Sequence, residues 1–180
     1  DLQEIALKKL NSDKKGIYIV TIEILLQSNG FCHLNCTIYS RLLFNEIHGL
    51  DENYRYEPDR DIYIRAIDRA GIILHNPKVI AQHHIPEKIK KNNVSTQQSE
   101  LEKLIFQLRT FDKGILFCKN ENIKDSCKKN KMYALKKIAE ILYNEKRYKE
   151  SNIYAKEAFS ITFNLKWLAF CILIYIKSNL

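Results

Sequence analysis

Glycine and proline, the residues that interrupt regular structure, are unevenly distributed along this chain of 180 residues. Pro58, Pro77 and Pro86 all precede residue 87, as do Gly16, Gly30, Gly49 and Gly71, and only Gly114 lies beyond. Proline removes a backbone donor and clashes with the preceding turn of a helix, and glycine costs about 1 kcal/mol inside one. The stretches SNG (28–30), HGLDEN (48–53), EPD (57–59), NP (76–77) and KKNN (90–93) therefore cut the first part into short pieces, while the second part can sustain long helices. The expected organisation is an α/β unit over residues 1–90 followed by an all-α helical-hairpin tail over residues 95–180.

Within the first unit, Leu2 to Leu10 reads as a helix. GIYIVTIEILL (16–26) fits a strand by its β-branched content and a buried helix by its length. Tyr39 to Ile47 repeats apolar residues at helical spacing, and Asp59 to Ala70 opens with acids and sets Ile62, Ala66 and Ala70 on one face. IILH and KVIAQH, on either side of Asn76-Pro77, are strand candidates. In the tail, helices are expected near Ser95 to Cys118, Lys131 to Asn144, Tyr148 to Phe163 and Leu165 to Asn179. Thr96 and Ser99 offer capping hydroxyls there, and Glu100 and Glu102 suit a first turn. Ala139, Ala155 and Ala158 sit where two antiparallel helices approach closely, a spacing that resembles a single tetratricopeptide unit. One unit is not an array, so its expected role is packing more than peptide capture.

With 46% hydrophobic residues the chain can bury a core, which excludes disorder. Lysine and arginine outnumber aspartate and glutamate 29 to 21, for a net charge of +8. That balance suits a phosphate-rich partner or an anionic membrane, yet the surplus is mostly lysine between Lys88 and Lys149, the pattern of a solvated face. Arginine and aromatic residues are too sparse within it for nucleic acid to be an expected partner. Five cysteines at irregular spacing do not make a secreted disulfide framework, and CHLNC (32–36) lacks the second ligand pair that closes a zinc tetrahedron. No signal peptide is visible, and WLAFCILIYI (167–176) falls short of the ~20 residues that span a bilayer. The expected residence is cytoplasmic, with the lysine-rich face suited to peripheral attachment at the inner face of a membrane.

The richest local chemistry lies in YRYEPDRDIYIR, Tyr54 to Arg65, which holds three carboxylates and three arginines in twelve residues. Pro58 suits a first helical turn, so Asp59 and Asp61 fall near a helix N-terminus, where backbone N–H groups and the dipole favour the ionised carboxylate. Such an acid can take a proton from an attacking hydroxyl, and it can equally cap a helix. His83 and His84 end a strand candidate just before Ile85-Pro86, where an imidazole can meet a divalent metal or a phosphate oxygen, or simply pack.

Taken in order, CTIYSRLLFNEIHGLDENYRYEPDRDIYIRAIDRAGIILHNPKVIAQHHIP (36–86) resembles the second half of the catalytic domain of family 2 glycosyltransferases, inverting enzymes of the GT-A fold. In that family a serine- or threonine-bearing strand and an arginine lead to a helix ending in a GGFDE turn, matched here by Thr37, Arg41, Phe44, Ile47 and HGLDE. An acidic pair and an aromatic-rich helix with an arginine follow, matched by PDRDIYIR with Pro58 in place of the first acid. A strand ending in histidine closes the pattern at His83, and the whole covers a little over a quarter of the chain. The resemblance implies that Asp59 is the general base for an acceptor hydroxyl attacking the anomeric carbon of a nucleotide sugar. It further implies that Thr37, Arg41, Asp61 and Arg65 support the helix and acceptor. His83 would lie near a divalent metal, Mn or Mg, and the diphosphate. The implied partners are a nucleotide-sugar donor and a glycan or protein hydroxyl acceptor, with a protein partner for the helical tail.

A nucleotide-binding βαβ half with its aspartate-x-aspartate strand end has no counterpart, since about 35 residues precede Cys36, fewer than two βαβ crossovers require. The DRD at 59–61 starts a helix on the acceptor side and does not replace that motif. The chain, opening at Asp1, is thus expected to be the C-terminal part of a larger transferase, the alternative being a transferase remnant or a non-enzymatic helical interaction module. Calorimetry on these 180 residues should give UDP-sugar binding weaker than micromolar, and a micromolar isotherm would contradict the expectation.

Overall fold

A computed structural model describes residues 10, 12–27, 34–79 and 98–179. The elements run β1 (Tyr18–Val20), α1 (Ile22–Gln27), a single 3-10 turn at Leu34–Cys36, α2 (Arg41–Glu46), α3 (Pro58–Arg69), β2 (Ile73–His75), α4 (Glu100–Phe117), α5 (Glu121–Asn144), α6 (Tyr148–Ile161) and α7 (Leu165–Ser178). The ambiguous stretch 16–26 divides between both of its readings, strand then helix, with Thr21 at the junction accepting from the N–H of Ile24 at 3.4 Å. The expected helix from Leu2 falls outside the described residues except at Leu10, and KVIAQH does so except at Lys78 and Val79, which lie in a loop.

The α/β expectation for the first unit requires correction. β1 and β2 pair antiparallel, with Tyr18 opposite His75 and Val20 opposite Ile73, and make the one sheet among the described residues. The acceptor-side half of a GT-A domain would need a mostly parallel sheet covered by helices. Here a three-residue ribbon lies on a mostly helical protein. The apolar runs read as strands are only partly inward-facing, for Ile19, Ile72 and Leu74 remain 63–70% exposed.

The all-α tail is present as expected. α4 starts at a capping box, in which the Ser99 hydroxyl accepts from the N–H of Glu102 while the Glu102 carboxylate accepts from the N–H of Ser99. Asn120 caps α5 and Asn164 caps α7 through their side-chain oxygens. Links of three residues join each helix to the next, which sets α4 to α7 as successive antiparallel neighbours. α5 runs from Glu121, ten residues before the helix expected at Lys131, and its first half buries only Ile123 and Cys127 among lysines, too narrow an apolar stripe to mark a helix in the sequence.

α5 is the wall shared by two cores. Ala134, Ile138 and Leu142 pack with Val20, Tyr63, Ile67, Leu104 and Phe111, while Leu135 and Ala139 pack with Ala155, Ala158, Trp167 and Ile174. The alanines let α5 and α6 approach closely, and the approach is locked by the buried Ser151 hydroxyl donating to Ala139 O at 2.7 Å. Trp167 Nε1 donates to Ala155 O at 3.0 Å and locks α7 in the same way. A third, smaller core of Ile47, Ile62 and Ala66 joins α2 to α3.

Gly114 sits where α4 meets both α5 and α3. A Cβ there would lie 2.4 Å from Cys127 Sγ and 3.4 Å from Ile64 Cγ2. Gly114→Ala should cost about 1–3 kcal/mol by overpacking. A double-mutant cycle in chemical denaturation should show the penalty shrinking in a Cys127→Ala background, and an equal penalty in both backgrounds would dismiss the contact as its cause.

Candidate functional site

The site begins with a turn. Ser40 caps α2, accepting from the N–H of Leu43 at 3.2 Å, and the helix ends at Ile47. His48 and Gly49 both adopt left-handed backbone, φ 59° and 62°, and the N–H of Gly49 closes the turn on Phe44 O at 2.9 Å. A Cβ on Gly49 would meet the Phe44 ring at 3.0 Å, so this position needs glycine for both backbone and space.

α3 then returns across the turn. Proline at its first turn sacrifices no hydrogen bond. From the second turn, the Arg65 guanidinium reaches back to the end of α2, donating to Ile47 O through Nη1 and to Gly49 O through Nη2 at 2.9 Å. The Ile47 carbonyl is one that the helix end leaves without a partner and the Gly49 carbonyl belongs to the turn that follows, so Arg65 fastens the end of α2 and its turn from another element. The same guanidinium holds Asp61 Oδ2, at 3.0 Å from Nε and 2.5 Å from Nη2.

The opposite edge of the cluster comes from α4. Lys113 Nζ lies 2.8 Å from Asp61 Oδ1 and 3.1 Å from Asp51 Oδ2, and Arg109 lies 3.6 Å from Asp51. Both cations sit over the Tyr54 ring, 4.8 Å for Arg109 and 5.0 Å for Lys113. Burial raises the Tyr54 phenol above its ordinary pKa. The N–H of Asn53, then its side-chain amide and Lys113, hold the Asp51 carboxyl down at about 2, against the opposing effect of partial burial. Asp61, at 2% exposure, is a buried carboxylate with a cation on each oxygen.

The residues singled out from sequence are therefore only partly assembled. Asp59 is half-buried in the first turn of α3, where Oδ1 accepts from the N–H of Arg60 at 3.0 Å. Asp61 and Arg65 form one ion pair. Thr37 is half-buried just before α2, its N–H donating to Leu34 O at 3.3 Å, and Arg41 is exposed at the first residue of α2. His83 lies outside the described residues. No donor set for a divalent metal comes together among the described residues, because Asp61 is engaged by Arg65 and Lys113 and brings no free oxygen.

Arg109 and Lys113 are the members that sequence reasoning missed. They stand on a helix about 50 residues downstream, in an amphipathic pattern where a lysine and an arginine carry no local signal. Glu57 is a further addition, since it enters α3 with φ 49°, pairs with Arg60 at 3.0 Å and accepts from Gln107 of α4 at 3.2 Å. Comparisons with protein-family models, characterised proteins and solved structures give no match to this chain.

The depressed pKa of Asp51 has a pH consequence. A carboxyl held at about 2 in the fold and near 3.8 without it adds stability that is complete above about pH 4 and is lost as pH falls toward 2. Asp51→Asn should flatten the acid limb of stability measured by circular dichroism between those values, whereas an unchanged limb would remove Asp51 from the cluster's energetics.

Proposed function

We propose that the turn 48–53 and α3 form the acceptor side of an inverting glycosyltransferase, in which Asp59 takes the proton from an acceptor hydroxyl as it attacks a nucleotide sugar. The observation that carries this reading is the Arg65 clamp: the HGLDE turn and the PDRDIYIR helix, recognised separately in sequence, are physically joined through Ile47 O and Gly49 O. The clamp fixes the turn against the first turn of α3, which is the placement that an acceptor-side base needs.

The two acids of α3 divide the work. Asp61 has both oxygens in ion pairs and is buried, so it positions the helix and cannot turn toward a substrate. Asp59 is half-buried on the first turn of α3. An alcohol is a poor nucleophile, and a carboxylate held within hydrogen-bond reach of it supplies the base that inversion needs. The leaving nucleoside diphosphate and its counter-charge belong to a part of such an enzyme for which the described residues supply no donor set.

The test is nucleoside diphosphate release and glycan transfer by the protein expressed from its entire reading frame. Asp59→Asn should lower kcat by about 100- to 10,000-fold with little change in melting temperature, the range a lost general base produces. Unchanged transfer by Asp59→Asn would defeat the assignment of the base, whereas no transfer by the unmutated protein would leave a non-enzymatic helical module as the reading.

A further inference from the structure

We propose that α7, together with the basic cleft beside its C-terminal end, docks the protein onto an anionic lipid bilayer surface. α7 carries two apolar faces where one is enough for folding. Its inner face, Trp167 and Ile174 with Phe170 and Cys171, packs against α5 and α6. Its outer face sets Leu165, Ala169, Ile172 and Ile176 at intervals of four, three and four residues, which is one straight stripe along a helix. Leu165, Ile172 and Ile176 remain 71, 51 and 52% exposed, and Phe163, just before the helix, is 68% exposed.

Charge decides what covers this stripe. α7 contains no acidic residue. Lys166 and Lys177, eleven positions apart, share one flank of the stripe, and Lys156 of α6 lies 5.3 Å over the Tyr175 ring on the other. At the C-terminal end a cleft of about 420 Å³ is lined by Lys146, Arg147, Lys149 and Lys177. Arg147 is already engaged by two carboxylates, Glu150 of the same cleft at 2.5 Å and Glu145 at 3.0 Å, so Lys146, Lys149 and Lys177 carry the cleft's positive charge. A second copy of α7 would bring more lysines and no carboxylate to the contact. An anionic bilayer satisfies both parts, with apolar side chains entering the acyl boundary while the lysines and Tyr175 remain among the headgroups. Among the described residues no helix is long and apolar enough to cross the membrane, so the docking is along the surface.

Co-sedimentation of the chain with mixed phosphatidylglycerol–phosphatidylcholine vesicles and with pure phosphatidylcholine vesicles tests this. Binding should occur to the first alone and weaken as salt is added. Ile172→Glu with Ile176→Glu should abolish it at an unchanged melting temperature. Replacing Lys146 and Lys149 by glutamine, which leaves the apolar stripe intact, should weaken partitioning about five-fold for each lysine removed. Equal binding to both vesicles, or binding to neither, overturns the proposal. So does a concentration-dependent dimer in ultracentrifugation that Ile172→Glu dissociates without any vesicle binding, which would make the stripe a contact between copies.

Discussion

The buried carboxylate of Asp61 is the constraint on which the first half of the molecule depends. Moving an ion out of water costs several kcal/mol, and the cost is offset only when every oxygen finds a well-placed cation. Arg65 occupies one oxygen and Lys113 the other, so α3 must sit where Lys113 of α4 can reach Asp61, an arrangement that the apolar contacts of Tyr63 and Ile67 with Leu104 and Phe111 also support. The apolar alternative is thin, since only Ile47, Ile62 and Ala66 are buried between α2 and α3. The turn is therefore held less by oil than by a guanidinium that cannot leave Asp61 without also releasing Ile47 O and Gly49 O. A second polar fastening repeats the logic at the other end of α3, where Asp68 accepts from the N–H groups of Lys119 and Asn120 at 2.8 Å and so caps the start of α5.

How legible each part was follows from the range of the interactions that make it. The helix start at Ser99 is written within four residues of chain, because a cap hydrogen-bonds its own first turn. Asp61 and Arg65 were expected together as supports of one helix, and the pair they form follows from standing four apart on it. Lys113 was not, because nothing near it distinguishes a lysine that will meet Asp61 from one that will face water. The first ten residues of α5 escaped for a related reason: one buried residue per turn, Ile123 then Cys127, leaves too narrow a stripe to stand out among lysines. The α/β expectation failed because β-branched runs such as IYIV and IILH satisfy strand chemistry locally, while the parallel pairing that defines that class is a property of distant segments.

The helical tail relays rigidity between these regions. Lys131 of α5 lies 2.8 Å from Asp112 of α4 and 2.8 Å from Glu157 of α6, tying three successive helices with one ammonium. Two cores on one helix mean that a change of packing on either side of α5 is felt on the other, since interiors this dense transmit displacement. Lys113, on α4, is thus held in register with Asp61 by the same stack that carries α7.

The net positive charge acquires a location from this pairing pattern. Acids of the tail are largely spent inside it: Asp112 and Glu157 on Lys131, Glu121 on Lys124, Asp125 on Lys128, Glu145 and Glu150 on Arg147. Lys136, Lys156 and Lys177 instead sit over the rings of Trp167, Tyr175 and Tyr143, within 4.8–5.3 Å of their centroids. A ring face orients an ammonium while leaving its charge uncancelled. Lys156 and Lys177 stand beside the apolar stripe of α7, which is where an anionic surface would feel both attractions at once.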